Sequence, residues 1–291
     1  MMNMPTLIVM CGLPGSGKST YTKLYINEHP GTIALSSDSI REELYGDESI
    51  QGDPAEVFGL MHKRAKEYLS EGKTVMYDAT NMSRKDRRGI LSCCSRQVRK
   101  ECHIIWAPIE ECIARDAKRT RHVGKSVIDY MVKRFQAPYE DEGFDEIKVI
   151  RPEGFDECAY TNKCLTDMIL SQDNPHHRLN VREHCEAAYE YVKARSNDPQ
   201  LLLATLFHDV GKPYTKAFVD SQRRPSEIAH FYQHQCVGAW MSYGLEGATP
   251  FVAWLITNHM EQFLNTKYYK TLLEYLKQPL DLLHEGDLQA H

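Results

Sequence analysis

Gly12-Leu-Pro-Gly-Ser-Gly-Lys18-Ser19-Thr20 follows directly on the apolar run Leu7 to Cys11. Strand, glycine-rich loop and helix in that order make a phosphate-cradling P-loop, with Pro5 ahead of the strand and a helix expected from Ser19 to His29. Gly12, Gly15 and Gly17, with Ser16 between them, let the backbone wrap its N–H groups around phosphates. Lys18 neutralises the β/γ oxygens, Ser19 is the expected Mg²⁺ ligand, and Thr20 stands at a helix start whose dipole adds positive potential. The stretch predicts a site for ATP or another nucleoside triphosphate with Mg²⁺.

The 291 residues suffice for two domains of ordinary size. With 42% hydrophobic and 26% charged residues, and no apolar run long enough to span a bilayer, the expectation is a cytoplasmic protein without membrane attachment. Nine cysteines without a CxxC pair suit neither a disulfide framework nor a zinc ribbon. Charge and histidine divide the chain: residues 1–150 hold 22 Lys+Arg and 22 Asp+Glu, so the remainder carries the whole net charge of −5, and nine of 13 histidines. Histidine enrichment in an acidic half points to a metal site there.

In the first half, β-rich runs recur at Thr6 to Cys11, Thr32 to Ser36, Thr74 to Tyr77, Cys102 to Ala107 and Ile147 to Ile150. Helical patterns lie between them, including Val57 to Leu69 and Ser126 to Gln136. This alternation predicts a five-stranded parallel sheet flanked by helices, over residues 1–150. The second run ends Ser36-Ser-Asp38-Ser-Ile-Arg41, placing a carboxylate and a guanidinium where open α/β sheets bind ligands. Asp38 can accept a proton from an attacking hydroxyl, cap a helix, or do both. The third run leads to Asp78-Ala-Thr-Asn81, a Walker-B-like acid suited to the Mg²⁺ shell. Arg115, Lys118, Arg119 and Arg121 have the make-up of a mobile basic lid, Arg115 and Arg119 being one helical turn apart. The basic run Arg84, Lys85, Arg87, Arg88, Arg96, Arg99 and Lys100 fits either a nucleic-acid backbone or one solvated helix face.

Residues 5–140 resemble the 5′-hydroxyl kinase domain of the bacteriophage polynucleotide kinase family. The resemblance rests on the Gly12–Thr20 loop, the Ser-x-Asp-x-x-Arg segment at Asp38 and Arg41, the Asp-x-Thr-Asn segment at Asp78, and Arg-x-x-x-Arg at Arg115 and Arg119, all in the family's order. It implies that Asp38 is the general base on a 5′-hydroxyl and that Arg41 grips the phosphate beside the acceptor nucleoside. Arg119, helped by Arg115, would stabilise charge on the transferred group. The phage enzyme continues into a phosphatase with an Asp-x-Asp-x-Thr motif, which is missing from this chain.

After Ile150 a connector is expected over 151–164 and a helical domain over 165–291. His184 lies in a helical stretch, the apolar helix Leu201 to Phe207 delivers His208-Asp209, and Gly211-Lys212-Pro213 ends it. His230 and His234, four apart, would share a helix face; His259 follows the apolar stretch Phe251 to Ile256, and Asp287 stands near the end. The pattern resembles the HD phosphohydrolase superfamily, and is similar to the HD domains of tRNA nucleotidyltransferases through Asn174-Pro-His-His, Val181-Arg-Glu-His184, Leu206 to Pro213 and Phe231-Tyr-Gln-His234. The resemblance implies one metal held by His184, His208, Asp209 and Asp287, and a second completed by His234 and His259 with Asp209 as bridge. His230 is the alternative to His234 and Asp281 lies close to Asp287. Lys212 would hold the phosphate. Mixed imidazole and carboxylate ligands suit Mn²⁺, Fe²⁺, Co²⁺, Ni²⁺ or Zn²⁺.

The expected architecture is therefore an α/β P-loop kinase domain followed by an all-α HD domain. Ribonucleases that cut by 2′-hydroxyl attack leave a 5′-hydroxyl and a 2′,3′-cyclic phosphate, so a kinase joined to a phosphoesterase reads as an end-healing enzyme for RNA or DNA, acting upstream of a polynucleotide ligase. Bacterial end-healing fusions of these two modules place the HD module first, whereas here the order is reversed. Two rivals are a metabolite or nucleoside kinase fused to an HD nucleotide phosphohydrolase, and a kinase with a non-catalytic HD docking module.

Overall fold

The computed structural model describes residues 4–175 and 178–290. The chain forms two compact units: one takes the chain up to Met131 together with Pro138–Glu153, the other takes Val132–Ala137 and everything from Gly154 onward.

The first unit runs β1 (Thr6–Cys11), α1 (Lys18–Glu28), β2 (Ile33–Ser36), α2 (Ser37–Tyr45), α3 (Pro54–Ser70), β3 (Thr74–Asp78), α4 (Arg84–Leu91), β4 (Arg99–Ile105), α5 (Ile109–Ala117), α6 (Lys125–Val132) and, after a 3₁₀ turn at Glu140–Glu142, β5 (Glu146–Ile150). All five strands pair in parallel in the order β2-β3-β1-β4-β5. Leu7, Ile8, Val9, Met10 and Cys11 are all buried, as a central parallel strand covered on both faces requires. Strand order reverses beside β1, so its carboxyl end opens a crevice at the topological switch point, where the glycine-rich loop lies.

Asp38 does not cap α2. Ser36 takes that place, its Oγ accepting from the Asp38 N–H at 3.2 Å, so Asp38 falls in the first turn with its carboxylate free of the cap. α6 is shorter than the expected Ser126 to Gln136 helix. It ends at Val132, and beyond it Phe135 turns into the second unit's core, edge-on to Trp240 and Tyr243 at centroid distances of 5.3 and 6.0 Å. The Ala137 N–H donates to Thr257 Oγ1 at 3.1 Å within the same core.

The second unit contains α7 (Glu157–Asp167), α8 (Val181–Lys193), α9 (Pro199–Phe207), α10 (Lys212–Thr215), β6 (Ala217–Val219), β7 (Pro225–His230), α11 (His234–Ser242), α12 (Pro250–Asn258), α13 (Lys267–Thr271) and α14 (Glu274–Gln289). It is helical, with one antiparallel hairpin, β6-β7, inserted. The stretch expected as connector is non-helical only to Asp156, which caps α7 through its side chain; Cys164 is the buried residue of that helix. His230 lies on β7, not on a helix face shared with His234, because the alternating stretch after Pro225 pairs with β6. The His176-His177 part of the Asn174-Pro-His-His segment lies outside the described residues. A capping box between Asn180 and Glu183 starts α8 and sets His184 in its first turn.

Candidate phosphoryl-transfer cleft and metal centre

The glycine-rich loop bends as its glycines allow. Gly15 (φ +79°) and Gly17 (φ +107°) occupy left-handed backbone, and a Cβ on Gly15 would stand 2.2 Å from the Cys112 carbonyl oxygen. The Lys18 ammonium folds back on this loop, donating to the Gly12 and Leu13 carbonyls at 2.9 and 3.0 Å. Burial lowers its pKa, and Asp78 nearby opposes that shift. Lys18, Ser19, Asp38, Arg41, Asp78 and Arg119 line one cleft, drawn from the ends of three strands and the loop after α5. Gly15, Gly17, Lys18, Ser19 and Thr20 meet Arg115 and Arg119 in an adjoining recess.

Arg41 Nη1 donates to Asp38 Oδ1 at 2.9 Å, so the carboxylate and guanidinium present one dipolar wall. Thr22 Oγ1 donates to Asp78 at 3.5 Å, and burial raises the Asp78 pKa against the pull of Lys18. Arg115 and Arg119 are not on one helix: α5 ends at Ala117 and the Arg119 N–H donates to the Asp116 carbonyl in a turn. Arg115 pairs with Glu111 at 2.5 Å, while Arg121 approaches Glu48 at 3.2 Å and Asp38 at 3.7 Å. The buried Asp116 carboxylate accepts the N–H groups of Val123 and Gly124, which ties down the far end of this basic segment. Gln51, Phe58 and Met131 also line the cleft; the helical stripes marked Phe58 and Met131 as core, and no pattern marked Gln51.

The basic run after β3 divides. Arg84 and Arg87 are buried against Glu142, and Arg99 is paired with Glu101 and Glu146. The Arg84 and Arg87 guanidiniums are therefore withdrawn from solvent, whereas Arg99 pairs at the surface and Lys85, Arg88 and Arg96 are exposed.

In the second unit, His184, His208, Asp209, His234, His259 and Asp287 converge and are all buried. His208 follows α9, His259 follows α12, and His234 opens α11. The Nδ1 atoms of His208, His234 and His259 lie 2.8, 2.9 and 2.8 Å from the carbonyls of Thr205, Phe231 and Ile256 respectively, each three residues back. His184 Nδ1 lies 3.2 Å from the Ala290 carbonyl. A carbonyl only accepts, so each Nδ1 carries the proton and each Nε2 presents a lone pair to the centre.

Those lone pairs meet acceptors. His184 Nε2 stands 2.9 Å from Asp287 Oδ1, and His208 Nε2 lies 3.5 Å from both Asp287 Oδ1 and Asp209 Oδ2 without a hydrogen bond. The other oxygen of Asp209, Oδ1, faces His234 Nε2 at 3.1 Å and His259 Nε2 at 4.0 Å. A buried cage of acceptors is satisfied by divalent cations, and this donor set fits them. Burial, then His234 and His208, push His259 down to about 3, which keeps it neutral as a ligand must be. Burial alone would raise the Asp209 carboxyl, but the Lys212 ammonium, foremost among the opposing groups, helps to hold it well below the usual range.

His230 stands apart, 3.2 Å from Ser226 Oγ and stacked on Tyr232, and Asp281 accepts from the Tyr269 hydroxyl. Neither is in the cage. Lys212 Nζ donates to Asp209 Oδ2 at 2.6 Å and to Gln172 Oε1 at 2.8 Å. Gln172 is 2% exposed and gave no sign of this role in the sequence, because a lone loop glutamine belongs to no spacing pattern.

Residues 7–138 match the AAA domain family and residues 176–285 the HD domain family. The transcription factor bHLH140 of Arabidopsis thaliana is 26% identical over 149 residues, which is 48% of this chain and 15% of that protein. The L-seryl-tRNA(Sec) kinase of Methanococcus maripaludis is 27% identical over 173 residues, 55% of this chain and 64% of that one. The chain thus spans less than two thirds of either relative. Among solved structures, a chain of the Pnkp1/Rnl/Hen1 RNA repair complex is similar at 25% identity and a TM-score of 0.42, over 50% of this chain and 48% of that chain. The protein joins, in this order, an AAA-family P-loop domain and an HD domain.

Proposed function

We propose that the protein heals nucleic-acid ends, RNA or DNA, with two separate sites. In this reading the P-loop domain transfers the γ-phosphoryl group of ATP or another nucleoside triphosphate to a 5′-hydroxyl. The HD domain hydrolyses a 2′,3′-cyclic phosphate and the 2′- or 3′-monophosphate that results. The observation that carries the reading is the cleft in which Lys18 and Ser19 share walls with the Asp38–Arg41 pair, a phosphate cradle facing a carboxylate base. The tRNA-linked acceptor in the name of the archaeal relative supports a nucleic-acid substrate.

Asp38 accepts the proton of the attacking hydroxyl, whose oxygen bonds the γ-phosphorus as the β–γ bridging bond breaks. Lys18, Arg115 and Arg119 take up charge on the transferred group and the departing diphosphate, and Arg41 holds the phosphate beside the acceptor nucleoside. Ser19 and Asp78 are the residues that would hold Mg²⁺, which offsets phosphate charge when bound. In the HD domain His184, His208, Asp209 and Asp287 would hold one divalent ion, and Asp209, His234 and His259 a second. Ions there supply an activated water and a clamp for the phosphate ester. Lys212 orients Asp209 and offers an ammonium to the phosphate. One water opens the cyclic ester at one P–O bond, and a second releases inorganic phosphate and leaves a diol. Nine free cysteines support a reducing compartment, the cytoplasm, and no described helix is long and apolar enough to cross a membrane. A polynucleotide ligase would use the finished ends.

The test is one RNA oligonucleotide bearing a 5′-hydroxyl and a 2′,3′-cyclic phosphate, supplied with ATP, Mg²⁺ and Mn²⁺ or Ni²⁺. Wild type processes both ends, Lys18→Ala loses only 5′ phosphorylation, and Asp209→Ala loses only 3′-end processing. Untouched ends with hydrolysis of free nucleotides would overturn the proposal in favour of a small-molecule substrate.

A further inference from the structure

The side chains of Arg87 and Glu142 are wholly withdrawn from solvent, and neither lines the nucleotide cleft. The guanidinium of Arg87, on α4, divides its donors between two directions. Nε and Nη2 donate to the two carboxylate oxygens of Glu142 at 2.9 and 2.5 Å. Nη1 donates to the backbone carbonyls of Asn81 and Met82 at 3.0 and 3.2 Å. Those carbonyls end the segment that leaves β3 and passes the carboxyl end of β1.

That segment is tied at three points to the end of β1 and the first residue of the glycine-rich loop. The Gly12 N–H donates to the Thr80 carbonyl at 3.1 Å, Asn81 Nδ2 donates to the Met10 carbonyl at 2.6 Å, and the Cys11 thiol donates to the Asn81 carbonyl at 3.4 Å. Asn81 takes a left-handed φ of 46°, a region that asparagine enters more readily than other L-residues with a Cβ. Asp78, Ala79 and Thr80 of the same segment line the cleft together with Lys18 and Ser19. A pair of apolar side chains would hold α4 to the Glu142 turn as firmly as this ion pair does. Only the planar fork of an arginine also sets the direction of two backbone carbonyls.

We infer that Arg87 and Glu142 are the positioning pair of the phosphoryl-transfer site, holding residues 78–82 in register with the glycine-rich loop so that Asp78 stays aimed into the cleft. This role replaces the expectation that Arg87 receives a nucleic-acid backbone. It rests on the reading of Gly12 to Thr20 as a nucleotide site.

The experiment titrates the full chain with a fluorescent ATP analogue, mant-ATP, with and without Mg²⁺. Wild type is compared with Arg87→Lys, which keeps the charge and loses the fork, and with Arg87→Met/Glu142→Leu, which leaves no buried charge unpaired. The Mg²⁺-dependent gain in affinity is expected to fall about tenfold in both variants, as when a residue supporting a metal ligand is lost. Should Arg87→Lys not fold, the double variant makes the same comparison. A gain equal to that of wild type, or an equal loss with and without Mg²⁺, overturns the positioning role. Failure of wild type itself to bind mant-ATP overturns the nucleotide reading instead.

Discussion

The Nε2 atoms of His234 and His259 face each other at 3.1 Å, although carbonyl partners at both Nδ1 atoms leave both Nε2 atoms as acceptors. Two buried lone pairs at that distance repel unless a cation or a proton lies between them. Asp209 Oδ1, 3.1 Å from His234 Nε2, adds negative charge to the same point. The arrangement is relaxed by a divalent ion, and consequences for stability and activity follow from that.

Chelation is expected to lower the melting temperature of the C-terminal unit, and Mn²⁺ or Co²⁺ to restore it. A ligand at 100 times its Kd contributes about 2.7 kcal/mol to the folded state. Trp240 and Trp254 are fully buried in this unit, so their fluorescence follows its unfolding. A melting curve indifferent to chelator and metal would sink the assignment.

Asp209→Asn should lower bound metal, because it replaces a carboxylate oxygen by an amide NH2 on the side chain that, among the described residues, addresses both histidine groups, and should abolish 3′-end hydrolysis. Asp281→Asn should leave metal content as in wild type, because Asp281 is engaged with Tyr269. Metal analysis of the two purified variants separates these outcomes; equal loss in both contradicts the cage.

Phe135→Ala removes a fully buried ring packed against Trp240 and Tyr243. The expected cost is about 3–5 kcal/mol to the C-terminal unit. Denaturant unfolding read through the tryptophans tests this, and a cost below about 1 kcal/mol would show that Val132–Ala137 adds little to that core.

Asp38→Asn keeps the shape of the cleft wall and removes the proton acceptor. The 5′ phosphorylation rate is expected to fall about 10²–10⁴-fold with nucleotide affinity little changed. Rates and mant-ATP titration on the same preparation check both halves of the statement.

Glu101 carries the clearest acid dependence of the N-terminal unit. Burial alone would raise its pKa, but Arg99, Lys148 and His103 outweigh it and bring it down to about 2. A carboxyl depressed on folding binds protons more readily when unfolded, so its stabilising effect is present above about 4.5 and is lost as pH falls towards about 2. Acid unfolding followed through Trp106, which comes directly after β4, should begin in that window, and Glu101→Gln should flatten it.

Much of the site was legible because its parts are local in the chain. Gly12 to Thr20 needs only a strand before it and a helix after it, and the run Leu7 to Cys11 is buried at every residue. His208-Asp209 was marked by the apolar helix that delivers it. Other parts were not legible. The basic run from Arg84 to Lys100 reads as one cationic stripe, yet Arg87 meets Glu142 55 residues away and leaves the surface. The family resemblance favours His234 and Asp287 over His230 and Asp281, and the fold supplies the contacts that the sequence did not show, with His234 facing Asp209 and Asp287 facing His184.

The sequence by itself determined the order of the elements, the glycine loop and the supply of imidazoles and carboxylates, because periodicity and turn chemistry act over a few residues. Tertiary structure decided what those groups do to one another. Asp209 has one oxygen on each histidine group, Arg87 is a buried brace, and Phe135 leaves the end of α6 for the core that also holds Trp240. Each of these depends on contacts between residues far apart in the chain, where burial and charge are set by the partner and not by the neighbouring sequence.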